Sequence, residues 1–161
     1  MTALSSSMIY HWLEDVKDPE IPVLSLVDLG VITEVNVEGS DVKIVMTPTF
    51  VGCPALDLMK SGITEVLKSK GVEKVDIEVS YRKPWHSDLI SDKGRQALKQ
   101  FGLAPPPSGE LFTDLDVLEH VPCPRCNGTD TELKNAFGPT LCRSIHYCNT
   151  CHEAFEQFKP L

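Results

Sequence analysis

Two pairs of cysteines late in the sequence constrain the fold of this chain more than any other feature. The pairs are Cys123-Pro-Arg-Cys126 and Cys148-Asn-Thr-Cys151, and 21 residues lie between them. A Cys-x-x-Cys turn directs two sulfur atoms towards one point, and two such turns complete a tetrahedral thiolate site. The spacing therefore predicts a zinc ribbon in which these four cysteines bind Zn²⁺.

The metal of this predicted ribbon has two alternative interpretations, a structural role and a redox role. A closed four-cysteine site is in most proteins structural, and residues 119–161 are too few for a large hydrophobic core, so a metal would supply much of their stability. The same ligand set can hold iron in a rubredoxin-like redox site, because geometry alone does not choose the metal. Cys142 is interpreted as a buried spare thiol, with replacement of a paired cysteine or binding of a second metal as the alternatives.

Residues 1–104 have the pattern of an α+β unit. Apolar residues at helical spacing indicate helices, and alternating apolar residues indicate strands. The order is helix, strand, strand, helix, strand, at residues 7–16, 30–39, 41–47, 54–70 and 72–81, with a last short helix at 92–101. Ser7 is the predicted N-cap of the first helix, and Gly71 is the predicted stop signal of the second. The second helix has a predicted apolar stripe formed by Leu56, Met59, Ile63, Val66 and Leu67. We therefore predict a small β-sheet covered on one face by helices.

A proline-rich segment separates this unit from the cysteine-rich tail. It reads "LAPPPSGE", and its three consecutive prolines can continue neither a helix nor a central strand. We therefore predict an α+β domain at 1–104, a linker at 105–118 and a zinc-ribbon domain at 119–161.

Charge and composition exclude several classes of partner. The net charge of -8 opposes attraction to nucleic-acid phosphates, and no basic aromatic cluster accompanies the ribbon. No stretch approaches the roughly 18 uninterrupted apolar residues of a membrane helix. The first residues lack the basic and apolar regions of a secretory signal, and clustered cysteines suit a reducing compartment. We expect a cytoplasmic protein that binds neither nucleic acid nor membranes.

Cys53 lies far from the other cysteines, in the sequence Gly52-Cys53-Pro54. Pro54 suits the first position of a helix, which makes Cys53 the predicted N-cap. There the helix dipole and free amide hydrogens would stabilise a thiolate and lower the pKa of Cys53, giving a nucleophilic, metal-binding sulfur. The alternative is a small apolar residue packed under the helix, and a thiol that titrates near or above about 8.5 would favour that alternative.

An acidic loop stiffened by prolines is the second candidate feature. Asp18 and Glu20 lie in "DPEIPV", where each proline favours extended backbone at the residue before it. Carboxylates on a stiff loop that folds back towards the sheet would suit metal coordination or orientation of a thiol, and a solvated turn is the equally supported alternative. Thr47 is a secondary polar candidate near the same end of the sheet.

Three segments together resemble a known family. They are "DPEIPVLSLVDLGVI", "MTPTFVGCPALDLM" and the ribbon from "CPRC" to "CNTC", and they are similar to the PaaD family, the D subunits of phenylacetyl-CoA epoxidase systems. The resemblance covers essentially the whole chain, and the first domain resembles the widespread iron–sulfur assembly domain. In that family the cysteine of the GCP motif is associated with metal or cluster handling, which implies this role for Cys53. The DPE motif of the family corresponds to Asp18, Pro19 and Glu20.

The resemblance implies a role in aerobic phenylacetate breakdown, in which a multicomponent di-iron oxygenase epoxidises the ring of phenylacetyl-CoA. The sequence contains no Glu-x-x-His pair for a di-iron site and no flavin or nicotinamide fingerprint. We therefore expect a non-catalytic accessory component of that system. The leading hypothesis is a maturation factor in which Cys53, with Asp18 or Glu20, transiently holds iron or an iron–sulfur cluster.

A single thiol cannot hold a cluster tightly, so this hypothesis needs further ligands. A recipient protein of the epoxidase system, or a second protomer docked across the Cys53 face, would complete the ligand set. Two other functions stay open. The first is a rubredoxin-like electron-transfer component, and the second is a structural subunit that only bridges other components, with Cys53 an inert packing residue.

Overall fold

The computed structural model describes residues 4–108 and 118–160. In chain order the elements are α1 (Ser6–Leu13), β1 (Ile32–Glu38), β2 (Asp41–Met46), α2 (Leu56–Ser69), β3 (Lys74–Val79), a 3₁₀ turn (Ser87–Leu89), α3 (Asp92–Phe101), β4 (Leu103–Ala104), β5 (Thr131–Asn135), β6 (Arg143–Cys148) and β7 (Ala154–Phe158). The predicted α+β class is confirmed. Two compact units are present: the first extends to Trp85 and includes Leu89–Gly94, and the second contains His86–Asp88 and the chain from Arg95 onwards.

The first unit is built on a three-stranded sheet in the order β1-β2-β3. β1 and β2 are antiparallel neighbours, whereas β2 and β3 are parallel and are connected through α2. Val42, Ile44 and Met46 of β2 alternate with exposed or half-exposed residues and are buried. Because side chains alternate across a strand, this pattern gives the sheet one apolar face, against which α1 and α2 pack. The predicted sheet with helices on one face is therefore observed.

The N-cap of the first helix lies two residues earlier than predicted. Ser5 is the N-cap, and its Oγ accepts a hydrogen bond of 3.3 Å from the amide of Met8. The prediction of Ser7 as the cap is wrong. Residues 5–7 are all serine, and each has the hydroxyl that a cap requires, so local preference could not choose among them.

The second helix buries the predicted stripe and ends as predicted. Met59, Ile63 and Leu67 are buried on one side of α2. Gly71 follows the helix with φ +90°, a left-handed conformation that costs a residue with a Cβ roughly 1–2 kcal/mol. Ala55 is the N-cap, so the helix starts two residues after Pro54, and the prediction of Cys53 as N-cap is wrong.

The second unit is a four-stranded sheet in the order β4-β7-β6-β5. β5, β6 and β7 are antiparallel neighbours, and β4 pairs in parallel with β7. Leu103 and Ala104 therefore belong to this sheet, although the predicted boundary assigned them to the first domain. Most of the predicted linker, residues 109–117, lies outside the described residues. Across the described ranges, none of the helices combines the length and apolarity that crossing a membrane requires.

Candidate metal centre and the Cys53 site

Four sulfur atoms of the second unit converge as the cysteine spacing predicts. The Sγ atoms of Cys123, Cys126, Cys148 and Cys151 all lie within 4.8 Å of one another. Cys123 is 3.8 Å from Cys151 and Cys126 is 3.6 Å from Cys148, measured between Sγ atoms. A tetrahedral metal with bonds of about 2.3 Å to sulfur separates its ligands by about 3.8 Å. The donor set and its spacing therefore fit one metal ion of the zinc or iron type.

Two matching turns position these sulfurs. In the first, the amide of Asn127 donates to the carbonyl of Cys123, and in the second the amide of His152 donates to the carbonyl of Cys148, each over 2.9 Å. Asn127 and His152 have left-handed φ values of 60° and 61°. Each turn thus reverses the chain four residues after its first cysteine, which brings both sulfurs of the pair to the same side.

Gly128 allows the first turn to approach the second. Its amide donates to Cys126 Sγ over 3.3 Å, as expected for a backbone that curls around a thiolate. The left-handed residue of the turn is Asn127 instead, so Gly128 is required for space. A Cβ at Gly128 would lie 2.8 Å from Thr150 Oγ1 and 3.1 Å from Cys126 Sγ, closer than such atoms normally pack.

Without a cation, the four cysteine sulfurs cannot all ionise at neutral pH. Amide hydrogens of Cys151 and Thr150 lower the pKa of Cys148 to about 6. Burial, followed by the neighbouring sulfurs of Cys126 and Cys148, raises the pKa of Cys151 to about 12. Four thiolates at this spacing repel one another, so they ionise together only when a metal ion compensates the charge. The chemistry of the cluster therefore favours a bound metal.

The other candidates of the tail lie outside this cluster. The Sγ of Cys142, which is buried, is 3.1 Å from Thr140 Oγ1. The Nε2 of His146 is 2.8 Å from Ser144 Oγ, and its ring stacks on Phe155. Burial lowers the pKa of His146 to about 4, which keeps the ring neutral. Within the described residues, neither Cys142 nor His146 joins the four metal-type ligands.

Cys53 lies in the loop between β2 and α2 and is half-buried. Burial, opposed by the amides of Ala55 and Leu56 and reinforced by the charges of Glu20 and Asp18, raises the pKa of this thiol. The prediction of a lowered pKa is therefore wrong. The amide hydrogens do reach the sulfur, but burial and two nearby carboxylates oppose ionisation, and neither could be read from the position of the cysteine beside a helix.

The acidic loop acts electrostatically on Cys53, because the charges of Glu20 and Asp18 add to the effect of burial in raising the pKa of the thiol. Asp18 is buried, and its Oδ1 accepts hydrogen bonds from the amides of Glu20 (2.8 Å) and Ile21 (2.9 Å). These bonds fold the loop into a tight turn and leave Glu20 half-exposed. Thr47 is buried at the end of β2, where its amide donates to the carbonyl of Val31 over 2.8 Å. The charges of Asp18 and Glu20 thus act on Cys53, although within the described residues the three side chains do not form a cluster at metal-ligand spacing.

Asp28 is a structural centre whose partners the sequence did not predict. Its carboxylate accepts hydrogen bonds from Ser25 (2.7 Å) and Ser91 (2.6 Å), and Lys93 lies 3.6 Å away. Although burial opposes ionisation, these hydrogen bonds and the lysine charge lower the pKa of Asp28. Ser91 in turn accepts from the amide of Gly94 and so caps the start of α3. Asp28 therefore fixes a loop and a helix, and it belongs to no metal-type cluster of the described residues.

Two family models divide the chain between them. Residues 6–80 match the iron–sulfur cluster assembly protein model, and residues 108–159 match the PaaD zinc beta ribbon domain model. The fold and the cysteine cluster thus define a class of protein that joins an iron–sulfur-assembly-type domain to a zinc ribbon.

Similar proteins of known name narrow this class. The putative D subunit of the 1,2-phenylacetyl-CoA epoxidase of Escherichia coli (strain K12) is 34% identical over 151 residues, which cover 94% of this chain and 90% of that protein. The chain therefore belongs to the PaaD family, the D subunits of phenylacetyl-CoA epoxidases. A protein of Porphyromonas gingivalis (strain ATCC BAA-308 / W83), named Fe-S protein maturation auxiliary factor, is 39% identical over 88 residues, covering 53% of this chain and 82% of that one.

Solved structures agree with the fold of the first unit. The domain of unknown function DUF59 from Bacillus anthracis superposes with a TM-score of 0.55 at 29% identity, covering 58% of this chain and 90% of that one. A conserved hypothetical protein from Thermotoga maritima gives a TM-score of 0.52 at 27% identity, with coverage of 64% and 100%.

Proposed function

We propose that this protein is an accessory maturation factor of a phenylacetyl-CoA epoxidase system, in which Cys53 transiently holds iron or an iron–sulfur cluster for delivery to another component. The observation that carries the proposal is a half-exposed thiol outside the four-cysteine cluster, on which the charges of Glu20 and Asp18 act. The names of the two relatives, the D component of an epoxidase and an Fe-S maturation factor, support both parts of it.

The chemistry of this group suits temporary binding. Because the pKa of Cys53 is raised, the thiol is protonated at neutral pH, and iron must displace that proton to bind. One sulfur and two carboxylates give an incomplete ligand set for a cluster, so the recipient protein supplies the remaining ligands. Transfer then returns the proton to Cys53, which favours release of the metal.

The four-cysteine cluster has a separate role in this proposal. It holds Zn²⁺ as the structural centre of the second unit, and Zn²⁺ has no redox chemistry under biological conditions. The partners are the other proteins of the epoxidase system, in the cytoplasm. The net charge of -8 supports protein partners over nucleic acid.

Anaerobic reconstitution tests the role of Cys53. We would load wild type, Cys53→Ser and Cys142→Ser with iron and sulfide, then measure retained iron and activation of the epoxidase. Cys142→Ser is the matched control, because it removes a second cysteine outside the four-sulfur cluster. We expect iron retention and activation to fall only in Cys53→Ser. Equal values for all three proteins would remove the thiol from the mechanism.

Two alternatives rest on particular observations. The Sγ spacing of 3.6–3.8 Å fits iron as well as zinc, which keeps a rubredoxin-like electron-transfer role open. Elemental analysis separates the two, because stoichiometric zinc in a colourless protein excludes electron transfer through this cluster. The raised pKa of Cys53 favours a purely structural bridging subunit. An unchanged epoxidase activity with Cys53→Ser, but a lost one after unfolding of the second unit, would select that function.

A further inference from the structure

The outer edge of β3 has no backbone partner in the described ranges 4–108 and 118–160. The amide of Ser80 donates to the carbonyl of Met46 over 2.8 Å, so the even-numbered residues of β3 direct their N–H and C=O groups towards β2. The same groups of Val75, Ile77 and Val79 point away from β2, because successive residues of a strand alternate. Six hydrogen-bonding groups therefore lie along an open strand edge.

The opposite edge of the same sheet is blocked by its backbone and by a covering group, whereas β3 carries only charged side chains as protection. β1 carries a bulge between Ile32 and Glu34, and Ser6 of α1 donates to the carbonyl of Val35 over 3.0 Å. Bulges and covering groups are the usual means by which proteins prevent pairing at an edge strand. β3, by contrast, keeps a regular register with β2 from Lys74 to Val79.

The two faces of β3 differ in a way that fits an additional strand. Lys74, Asp76 and Glu78 share the open face of the sheet with Lys43 of β2. Val75, Ile77 and Val79 share the helix-covered face, but they are only partly buried, whereas their neighbours Val42, Ile44 and Met46 are almost fully buried. A strand added beyond β3 would cover this remaining apolar surface.

We propose that β3 pairs with β3 of a second copy of this chain, antiparallel, with Asp76 on the two-fold axis. In this register Val75 lies opposite the partner's Ile77, and these two residues exchange backbone hydrogen bonds through the outward-pointing groups. Lys74 lies opposite the partner's Glu78, in the non-hydrogen-bonded type of pair in which side chains approach most closely. Each dimer contains both contacts twice, as an isologous interface requires.

Charge complementarity and the length of the paired strand together favour this register. A shift by two residues in one direction places Asp76 opposite the partner's Glu78, so that like charges meet twice. A shift in the other direction places Lys74 opposite the partner's Asp76, but it pairs only three residues of each strand and so loses backbone hydrogen bonds. The proposed register has one unfavourable pair, Asp76 with the partner's Asp76. Lys43 lies opposite Asp76 on β2, and its Nζ is 2.8 Å from the carboxylate of Glu78 in the same chain. In this register the strand KVDIEV is complementary to its own copy at every paired position except the central Asp76.

The arrangement keeps the two Cys53 sites apart. Cys53 follows the carboxyl end of β2, which is parallel to β3, so antiparallel pairing puts the two thiols beyond opposite ends of the β3 ladder. Six residues of strand span about 20 Å. The two thiols therefore do not share one cluster in this dimer, in contrast to a dimer formed across the Cys53 face.

Charge reversal tests the register in the full-length protein. Sedimentation velocity would compare wild type, Lys74→Glu, Glu78→Lys and an equimolar mixture of the two variants. Each variant alone places like charges opposite each other twice, so we expect dimerisation to weaken about tenfold or more. The mixture restores both opposite-charge pairs and should dimerise as wild type does. Lys68→Glu and Glu65→Lys are the matched controls, because they make the same charge changes at exposed positions of α2.

Three outcomes would overturn the proposal. They are a wild type that stays monomeric at the highest concentration it reaches, variants that dimerise as well as wild type, and a mixture of folded variants that fails to dimerise. A second measurement uses a different chemistry. Asp76→Cys should form a disulfide dimer on mild oxidation, because the two Cα atoms lie about 4.5 Å apart across the axis. Asp41→Cys, on the neighbouring strand, should form no more of it than wild type, and equal cross-linking of both variants would also refute the register.

Discussion

At the scale of single residues, Cys53 shows why position beside a helix does not determine the reactivity of a thiol. Two backbone amides favour its thiolate, but burial and the charges of Glu20 and Asp18 outweigh them. A protonated thiol is slow to react with electrophiles and must lose its proton before it binds a metal. The surroundings of Cys53 thus favour the protonated, less reactive form of the thiol.

Removing the charge of Glu20 should make Cys53 more reactive. In Glu20→Gln the pKa of the thiol falls, so we expect alkylation by iodoacetamide at pH 8 to become a few-fold faster, measured for this residue by mass spectrometry. Asp57→Asn is the control, because Asp57 lies in the first turn of α2 and has no resolved effect on Cys53. Equal rates in Glu20→Gln and wild type would show that the loop carboxylate does not act on the thiol.

Asp28 should stabilise the first unit in a pH-dependent way. Its pKa is lower in the folded protein than in the unfolded chain, so its contribution is present above the unfolded pKa, about 4, and is lost as the pH falls through the folded pKa. Asp28→Asn weakens the hydrogen bonds from Ser25 and Ser91, and we expect a loss of about 1–3 kcal/mol in the free energy of unfolding at pH 7.

Urea unfolding at several pH values measures this effect. The difference between wild type and Asp28→Asn should shrink in acid, whereas exposed Asp15→Asn should stay close to wild type throughout. A difference that is constant from pH 7 down to acid would mean that the charge of Asp28 is not what stabilises the loop.

At the scale of elements, the two cysteine turns are held by backbone geometry as much as by sulfur. The left-handed residues Asn127 and His152 occupy equivalent places, and the close approach of the turns leaves no room for a side chain at Gly128. Groups that orient the ligands of a metal contribute to its affinity even though they do not touch it.

Gly128→Ala should therefore weaken metal binding. The new Cβ would collide with Thr150 Oγ1 and displace Cys126 Sγ, so we expect a loss of about 10- to 100-fold in affinity, measured by competition with a chelator. Asn127→Gly is the control, because glycine adopts the left-handed conformation freely and keeps the amide hydrogen bond to Cys123. Unchanged metal affinity in Gly128→Ala would mean that the turn relaxes without moving the ligands.

The sequence predicted the helices and strands better than it predicted where they end and which distant residues surround them. The stripe on α2 and the pairs of cysteines depend on local spacing, and both were predicted correctly. The cap at Ser5 could not be chosen among three serines, and β4 is two residues long, so only its pairing with β7 defines it. The raised pKa of Cys53 depends first on burial and then on the charges of a loop more than 30 residues earlier in the chain. Local pattern carries no information on such distant contacts.

At the scale of the whole molecule, the sulfur cluster is part of the core of the second unit. Cys123 and Cys148 are buried and pack with Val121, Phe155 and Ala104. A ligand lost from such a cluster leaves uncompensated thiolates inside the core, so metal binding and folding are coupled there. The first unit has its own apolar core on the sheet of β1, β2 and β3.

Loss of the metal should therefore unfold one unit and spare the other. In Cys148→Ser, or after treatment with a strong chelator, we expect amide hydrogen-exchange protection to disappear from β5, β6 and β7 and to persist in β1, β2 and α2. Cys142→Ser should retain protection in both units, because Cys142 lies outside the cluster. Protected β6 amides in a metal-free protein would show that the apolar core alone folds this unit.

The pairing of Leu103 and Ala104 with β7 also determines how this chain can be dissected. Leu103 aligns with Glu156 and Ala104 with Gln157. Cutting the chain at the three prolines would remove β4 and leave one edge of β7 unpaired. An unpaired strand edge can pair with other chains and so promote aggregation. A fusion protein that contains the ribbon should therefore include Leu103 and Ala104. Its first residue should lie before the prolines, although the prolines look like the domain boundary.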